Sequence, residues 1–343
     1  MLQIIFVEYI VIFMLSIFFV KIVQNNASFL KLLDKPNART MHQNSKPTGA
    51  GIGFLGAVGI VFPLFHMQLF VSHIWLYSAI FIVFLVGIWD DMHETTPRHK
   101  FIIIAIATVL IYIDGIVIHD VGVFFGFHLY LGWFALPFTL FAVMGFTNAL
   151  NLIDGIDGLS GTLSMIIFAS FVYIGFLYHD TLLMVIGLSL IAALLGFMVF
   201  NWHPATIFMG DSGSLTLGFV ISVLSIQSLA YVPAIAILFV AAIPILDTIY
   251  VIIRRKRNGH SSFAPDKCHI HHLLNIVFHG NIRKTVLVLA SIQAIYSFIG
   301  IHLSKWIDAG WLLLVYMVNI VCIYLFLRWV IRTKDSACED NVR

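Results

Sequence analysis

Eleven apolar runs set the terms for any fold this chain can adopt: residues 3–24, 50–69, 73–89, 101–118, 131–147, 160–178, 181–200, 213–230, 232–253, 285–303 and 311–331. Each approaches the length of about 20 residues that a helix needs to cross the hydrocarbon core of a bilayer. That core offers no water to backbone groups, so a crossing segment is either a helix or a strand of a closed barrel. Barrel strands are about ten residues long and alternate apolar with polar. These runs are continuous, which selects helices. The expected architecture is an all-α polytopic membrane protein of ten or eleven transmembrane helices, one membrane domain over residues 1–343. Only 10% of the residues are charged, against about 25% in a soluble domain, too few to cover a surface in water. The net charge of +2 shows no basic excess, and no nucleic-acid partner is expected. The first run contains Glu8 and precedes no small-residue cleavage pattern, so it reads as a retained helix.

Orientation comes from Lys and Arg. They number 19, and sixteen fall in alternate loops or the C-terminal tail. Lys21 ends the first run on that same side, Lys305 stands in an opposite loop, and Arg328 lies within the last run. Positive loops stay cytoplasmic. The N-terminus is therefore expected outside and the tail inside. Trp75, Trp89, Trp133, Trp202, Trp306, Trp311 and Trp329 fall near run ends, as an interfacial belt or ordinary packing would place them. Cys268, Cys322 and Cys338 form no CxxC pair and map to the inside or to a run, so no disulfide is expected.

Five inward loops, 25–49, 90–100, 148–159, 201–214 and 254–284, hold nearly every polar cluster. The second reads DDMHE at 90–94. Adjacent carboxylates repel, and a cation relieves them; Mg²⁺ binds through one or two carboxylates and keeps positions for substrate phosphates. The third, NALNLIDGIDG at 148–158, repeats a polar residue every third position: Asn148, Asn151, Asp154 and Asp157. On a helix these share one slowly drifting face, which in an apolar protein belongs to water or to a ligand. The fourth holds Asn201 and FMGDSGS at 208–214, where Asp211 opens an apolar run. It reads either as a helix cap or as a metal carboxylate beside a helix N-terminus that attracts phosphate. The fifth holds RRKR at 254–257 and SSFAPDKCHIHH at 261–272. The basic run is a topology signal or a lipid contact. His269, His271 and His272 lack the companions of a zinc site and suit a diphosphate better. Lys46 precedes a glycine-rich run entrance, and no strand there supports a dinucleotide fingerprint.

These four motifs in this order, DDMHE, NALNLIDGIDG, FMGDSGS and SSFAPDKCHIHH, resemble the polyprenyl-phosphate N-acetylhexosamine-1-phosphate transferases, the WecA, TagO and MraY family. The likeness runs from about Lys46 to Asn275, and the HIHH form resembles the branch that uses UDP-GlcNAc. The resemblance implies transfer of GlcNAc-1-phosphate from UDP-GlcNAc to undecaprenyl phosphate, with release of UMP. It implies Mg²⁺ as cofactor, with Mn²⁺ as a substitute, membrane lipid around the chain, and a homodimer. It implies Asp211 and Asp91 at the metal, and Asp90, Asp91, Asp154, Asp157 and His271 in catalysis. Lys46, Asn148, Asn151, Asn201, Phe208, Arg254, His269 and His272 are implied in substrate binding, with Phe208 stacked on uracil. Glu94 departs from the family, where many members carry Asp. Two other classes use acidic residues in membranes. A membrane prenyltransferase has no use for the HIHH loop, and a cation- or proton-coupled transporter places its acids at mid-membrane.

Overall fold

The computed structural model describes residues 2–34, 45–93, 95–257, 259 and 268–333. Glu94, residues 261–267, Lys35, Arg39, Lys334, Arg343 and Cys338 lie outside the described residues. The chain divides into two compact units, Met1–Asp120 with Leu131–Tyr231, and Val121–Tyr130 with Val232–Arg343.

The first unit carries helices α1 (Leu2–Asn26), α2 (Ala50–Phe65), α3 (Met67–Ser72), α4 (Ile74–His93), α5 (Pro97–Ile113), α6 (Ala135–Ile153), α7 (Leu159–Tyr178), α8 (Thr181–Asn201) and α9 (Gly210–Ser228). A short antiparallel pair, β1 (Leu33–Asp34) with β2 (Lys46–Pro47), lies between α1 and α2. The second unit carries a hairpin, β3 (Asp120–Phe124) and β4 (Phe127–Tyr130), then α10 (Ala234–Val240), α11 (Ala242–Arg257), α12 (Ile270–Val277), α13 (Ile282–Leu303) and α14 (Ala309–Thr333). Local chemistry sets several starts. Pro97 sits in the first turn of α5, where its missing N–H is no loss. Asp180 and Asn281 cap α8 and α13, each accepting an N–H of the first turn at 3.0 Å.

Every expected run is helical, yet the runs differ in kind. Among the described residues seven helices are long and apolar enough to cross a membrane: α1, α4, α6, α7, α8, α13 and α14. The pair α10 and α11 passes as one span bent by 86°. The runs 50–69, 101–118 and 213–230 form α2, α5 and α9, which fall short in length or apolarity. For α9 the reason is its surroundings. Ser212–Leu224 is buried throughout, packed against α2, α4, α6 and α7. A helix sheathed in protein needs small residues for close approach more than it needs lipid-like side chains. The break between α10 and α11 frees backbone groups that lipid cannot satisfy. Gln293 of α13 supplies the partners: its Oε1 accepts from Ile243 N at 3.0 Å and its Nε2 donates to Val240 O at 2.7 Å.

Glu8, the lone acid of the first run, is buried and its Oε2 lies 2.8 Å from His66 Nε2. The expectation of no disulfide fails at Cys268, which is buried and disulfide-bonded, while Cys322 is free. Loop spacing along the chain says nothing about which thiols meet in space.

Candidate active site

Four helix ends of the first unit bring the polar motifs together. Asp90 and Asp91 ride on the last turn of α4, Lys100 on the first turn of α5, Asn151 on the last turn of α6, and Asp211 on the first turn of α9. Lys100 Nζ bridges two carboxylates. It lies 2.8 Å from Asp90 Oδ2 and makes a second, short ion pair with Asp211 Oδ2. Asn151 Nδ2 holds the other oxygen of Asp211, donating to Oδ1 at 2.9 Å and also to Ser214 Oγ at 2.8 Å. Thr95 donates to Asp90 Oδ1 through its N–H at 2.7 Å and through its hydroxyl.

Asp91 has a different task. Its Oδ1 accepts from Asp211 N at 2.6 Å and its Oδ2 from Ser212 N at 3.1 Å. A side chain of α4 thus caps α9 from outside, where the helix dipole favours a negative charge. Gly210 permits it. Its φ is 75°, in the left-handed region, and a Cβ there would meet both Asp91 oxygens at 2.6 Å. The geometry makes Asp91 the group that positions Asp211, and leaves Asp90 and Asp211 as the pair that faces one cation.

A second tier supports this pair. Asp154 accepts from Ser160 Oγ at 2.5 Å. Burial pushes its carboxyl up to about 7, and the charges of Asp211 and Asp157 add to the rise against the pull of the Ser160 hydrogen bond. Asp157 Oδ2 meets His203 Nδ1 at 2.7 Å and accepts from Ala205 N at 3.0 Å. Asn201 is buried, accepting from Gly158 N at 3.0 Å and donating to Ile207 O at 2.9 Å. It staples the loop after α6 to the loop after α8. Lys46 Nζ donates to Ala205 O at 3.2 Å and lies 5.1 Å from the centre of the Phe208 ring, a cation over an aromatic face. Backbone bonds from Phe208 N to Pro47 O and from Ala50 N to Phe208 O seat the two loops on each other. Asn148 is half-buried on α6, one turn before Asn151.

In the second unit, Asp247 of α11 meets the start of α12 and holds His269. The His269 and His271 rings stack at 5.5 Å, and those of His271 and His272 lie 4.2 Å apart. His271 is fully buried, and neither ring nitrogen has a hydrogen-bond partner among the described residues. Burial, with His272 and His269 adding to it, holds its imidazole well below the usual range, hence neutral. Arg254 lies on the last turn of α11.

Among the described residues no three His, Cys, Asp or Glu side chains form a ready metal cage. Mg²⁺ does not require one, because it binds through one or two carboxylates and completes its shell with water and phosphate. Asp90 and Asp211, hard oxygen donors already sharing one positive charge, fit that demand.

A family model described as glycosyl transferase family 4 matches residues 73–229, from α4 to the end of α9, and so takes in Asp90, Asp91, Lys100, Asn151 and Asp211. A Bacillus subtilis (strain 168) protein named "Probable undecaprenyl-phosphate N-acetylglucosaminyl 1-phosphate transferase" is 34% identical over 306 residues, 87% of this chain and 85% of its own. The chain belongs to glycosyl transferase family 4. It is a multi-pass membrane enzyme, a glycosyl-1-phosphate transferase. Two further relatives of the family, both named undecaprenyl-phosphate alpha-N-acetylglucosaminyl 1-phosphate transferase, come from Yersinia pestis and Escherichia coli (strain K12). The first is 31% identical over 92% of this chain and 90% of its own, the second 32% over 77% and 74%.

Sequence reading left Lys100 as a topology cation and passed over Ser160, His203 and Asp247. Asp247 did carry a signal, as a carboxylate inside an apolar run.

Proposed function

We propose that this glycosyl transferase family 4 enzyme transfers GlcNAc-1-phosphate from UDP-GlcNAc to undecaprenyl phosphate at the cytoplasmic face of a bacterial membrane. The observation that carries the reading is the bridge of Asp90, Lys100 and Asp211, drawn from three helices in a family whose relatives bear that name. An oxygen of the acceptor phosphate forms a bond to the β-phosphorus of the nucleotide sugar. The bond from that phosphorus to the oxygen bridging the α-phosphate breaks, and its electrons leave with UMP. Both reactants are anions, and their repulsion is the barrier to be lowered.

Asp211 and Asp90 would hold Mg²⁺, which would supply charge neutralisation and Lewis-acid polarisation of phosphate oxygens. Lys100 keeps the two carboxylates close and contributes a further positive charge. Asn151 and Asp91 hold Asp211 in one rotamer and one backbone position. Lys46 and Phe208 offer a cation and an aromatic face to the uridine, with Asn148 and Arg254 as further polar contacts. Asp154 and Asp157 line the approach, and His269, His271 and His272 read the sugar diphosphate. A one-step displacement suits this site better than an aspartyl-phosphate intermediate. Both oxygens of Asp91 accept backbone N–H bonds, and both of Asp90 are paired.

The test is purified protein with undecaprenyl phosphate and a panel of labelled UDP-sugars, with and without Mg²⁺, following UMP and lipid-linked sugar. UDP-GlcNAc should lead the panel and EDTA should stop turnover. Turnover of another UDP-N-acetylaminosugar alone would reassign the substrate. Folded Asp211→Ala protein with near-normal turnover would reject the metal assignment.

A further inference from the structure

Asp247 is fully buried in α11, inside an apolar run, and no step of the proposed reaction uses it. A carboxylate in such a place needs a compensating role. Its two oxygens make short hydrogen bonds to consecutive residues at the start of α12. Oδ1 accepts from Ile270 N at 2.5 Å, and Oδ2 lies 2.6 Å from His269 Nδ1. An ionised carboxylate only accepts, so Nδ1 of His269 carries a proton and Nε2 is the nitrogen left to meet a ligand. The same side chain caps the α12 backbone, which ties the ring's orientation to the helix that carries it. His271, two residues on, has no such orienting partner among the described residues.

We propose that Asp247 is a positioning residue, fixing the tautomer and direction of His269 so that Nε2 addresses an anionic oxygen of the nucleotide-sugar diphosphate. This rests on the reading of the HIHH loop as the part that recognises the sugar diphosphate.

Asp247→Asn keeps the shape of the side chain. Its carbonyl oxygen can serve Ile270 N, and its amide then donates toward His269. The ring must answer with a lone pair at Nδ1 and carry its proton at Nε2. In ¹⁵N-histidine-labelled protein, the His269 resonance, assigned by its absence in His269→Ala, should change tautomer in Asp247→Asn. The kcat/KM for UDP-GlcNAc should fall by about 10–100-fold, the range for groups that orient a ligand-contacting histidine. In the His269→Ala background the same substitution should have no further effect on kcat/KM, because Asn keeps the bond from Ile270 N and what it changes is felt only through His269. Full additivity of the two losses, or unchanged kcat/KM in Asp247→Asn, would overturn the proposal. Near-normal turnover by His269→Ala would instead refute the reading of the loop. If Asp247→Asn yields no folded protein, the wild-type spectrum decides: Nδ1 protonated supports the proposal, Nδ1 bare sinks it.

Discussion

Two carboxylates held against one ammonium repel each other once that ammonium is removed, and Lys100 stands in that position between Asp90 and Asp211. Lys100→Ala should leave a more negative site. Half-saturating Mg²⁺ should fall while kcat drops at least about tenfold, since a charge that acts in the transition state is lost; metal titrations of turnover would read both. Asp154 makes a prediction in pH. Its folded carboxyl is raised to about 7 from an ordinary 3.8, so the folded state holds a proton that the unfolded chain has lost. Metal-free protein should lose stability as pH rises from about 4 to 7. Asp154→Asn should flatten that part of the profile in melting experiments.

Elements meet here through caps supplied by their neighbours. Asp91 of α4 caps α9, and Asp247 of α11 caps α12. In each case the capped turn carries side chains of the proposed site, so a capping defect should also be a site defect. Asp91→Asn should cost about 1–2 kcal/mol of stability and most of the activity, because Asp211 loses its backbone anchor. Gly210→Ala should cost a similar amount through its left-handed φ alone, with the clash against Asp91 in addition. Asp90→Asn, whose side chain meets Lys100 and Thr95 and caps no helix, should remove activity while the melting temperature stays near wild type. Equal melting losses in all three variants would contradict this division of labour.

Topology is a property of the whole molecule, and the Lys and Arg bias predicts its orientation. With Cys268, Cys322 and Cys338 all replaced by Ser, single cysteines at Thr206 and Arg257 should react with an impermeant thiol reagent only after the membrane is opened. A cysteine at Leu129, in β4, should react in intact spheroplasts. The reverse pattern would turn the enzyme around and put its nucleotide site on the wrong side. The membrane class, the helical segments and the family were legible in the chain, because lipid acts on each segment separately and length with apolarity is a local quantity. The motifs were legible for the same reason, as dense polar stretches where the rest is apolar. What each motif residue touches was not. Nothing in DDMHE distinguishes Asp90, which faces Lys100, from Asp91, the next residue of the same turn, which caps α9. Nothing in the fourth loop marks Asn201 as a buried staple. Nor could α9 be told from a lipid-facing span until its neighbours were in place. Sequence decided which residues must leave the hydrocarbon. The tertiary structure decided how they pair, because hydrogen bonds and ion pairs depend on distances between helices that lie far apart along the chain.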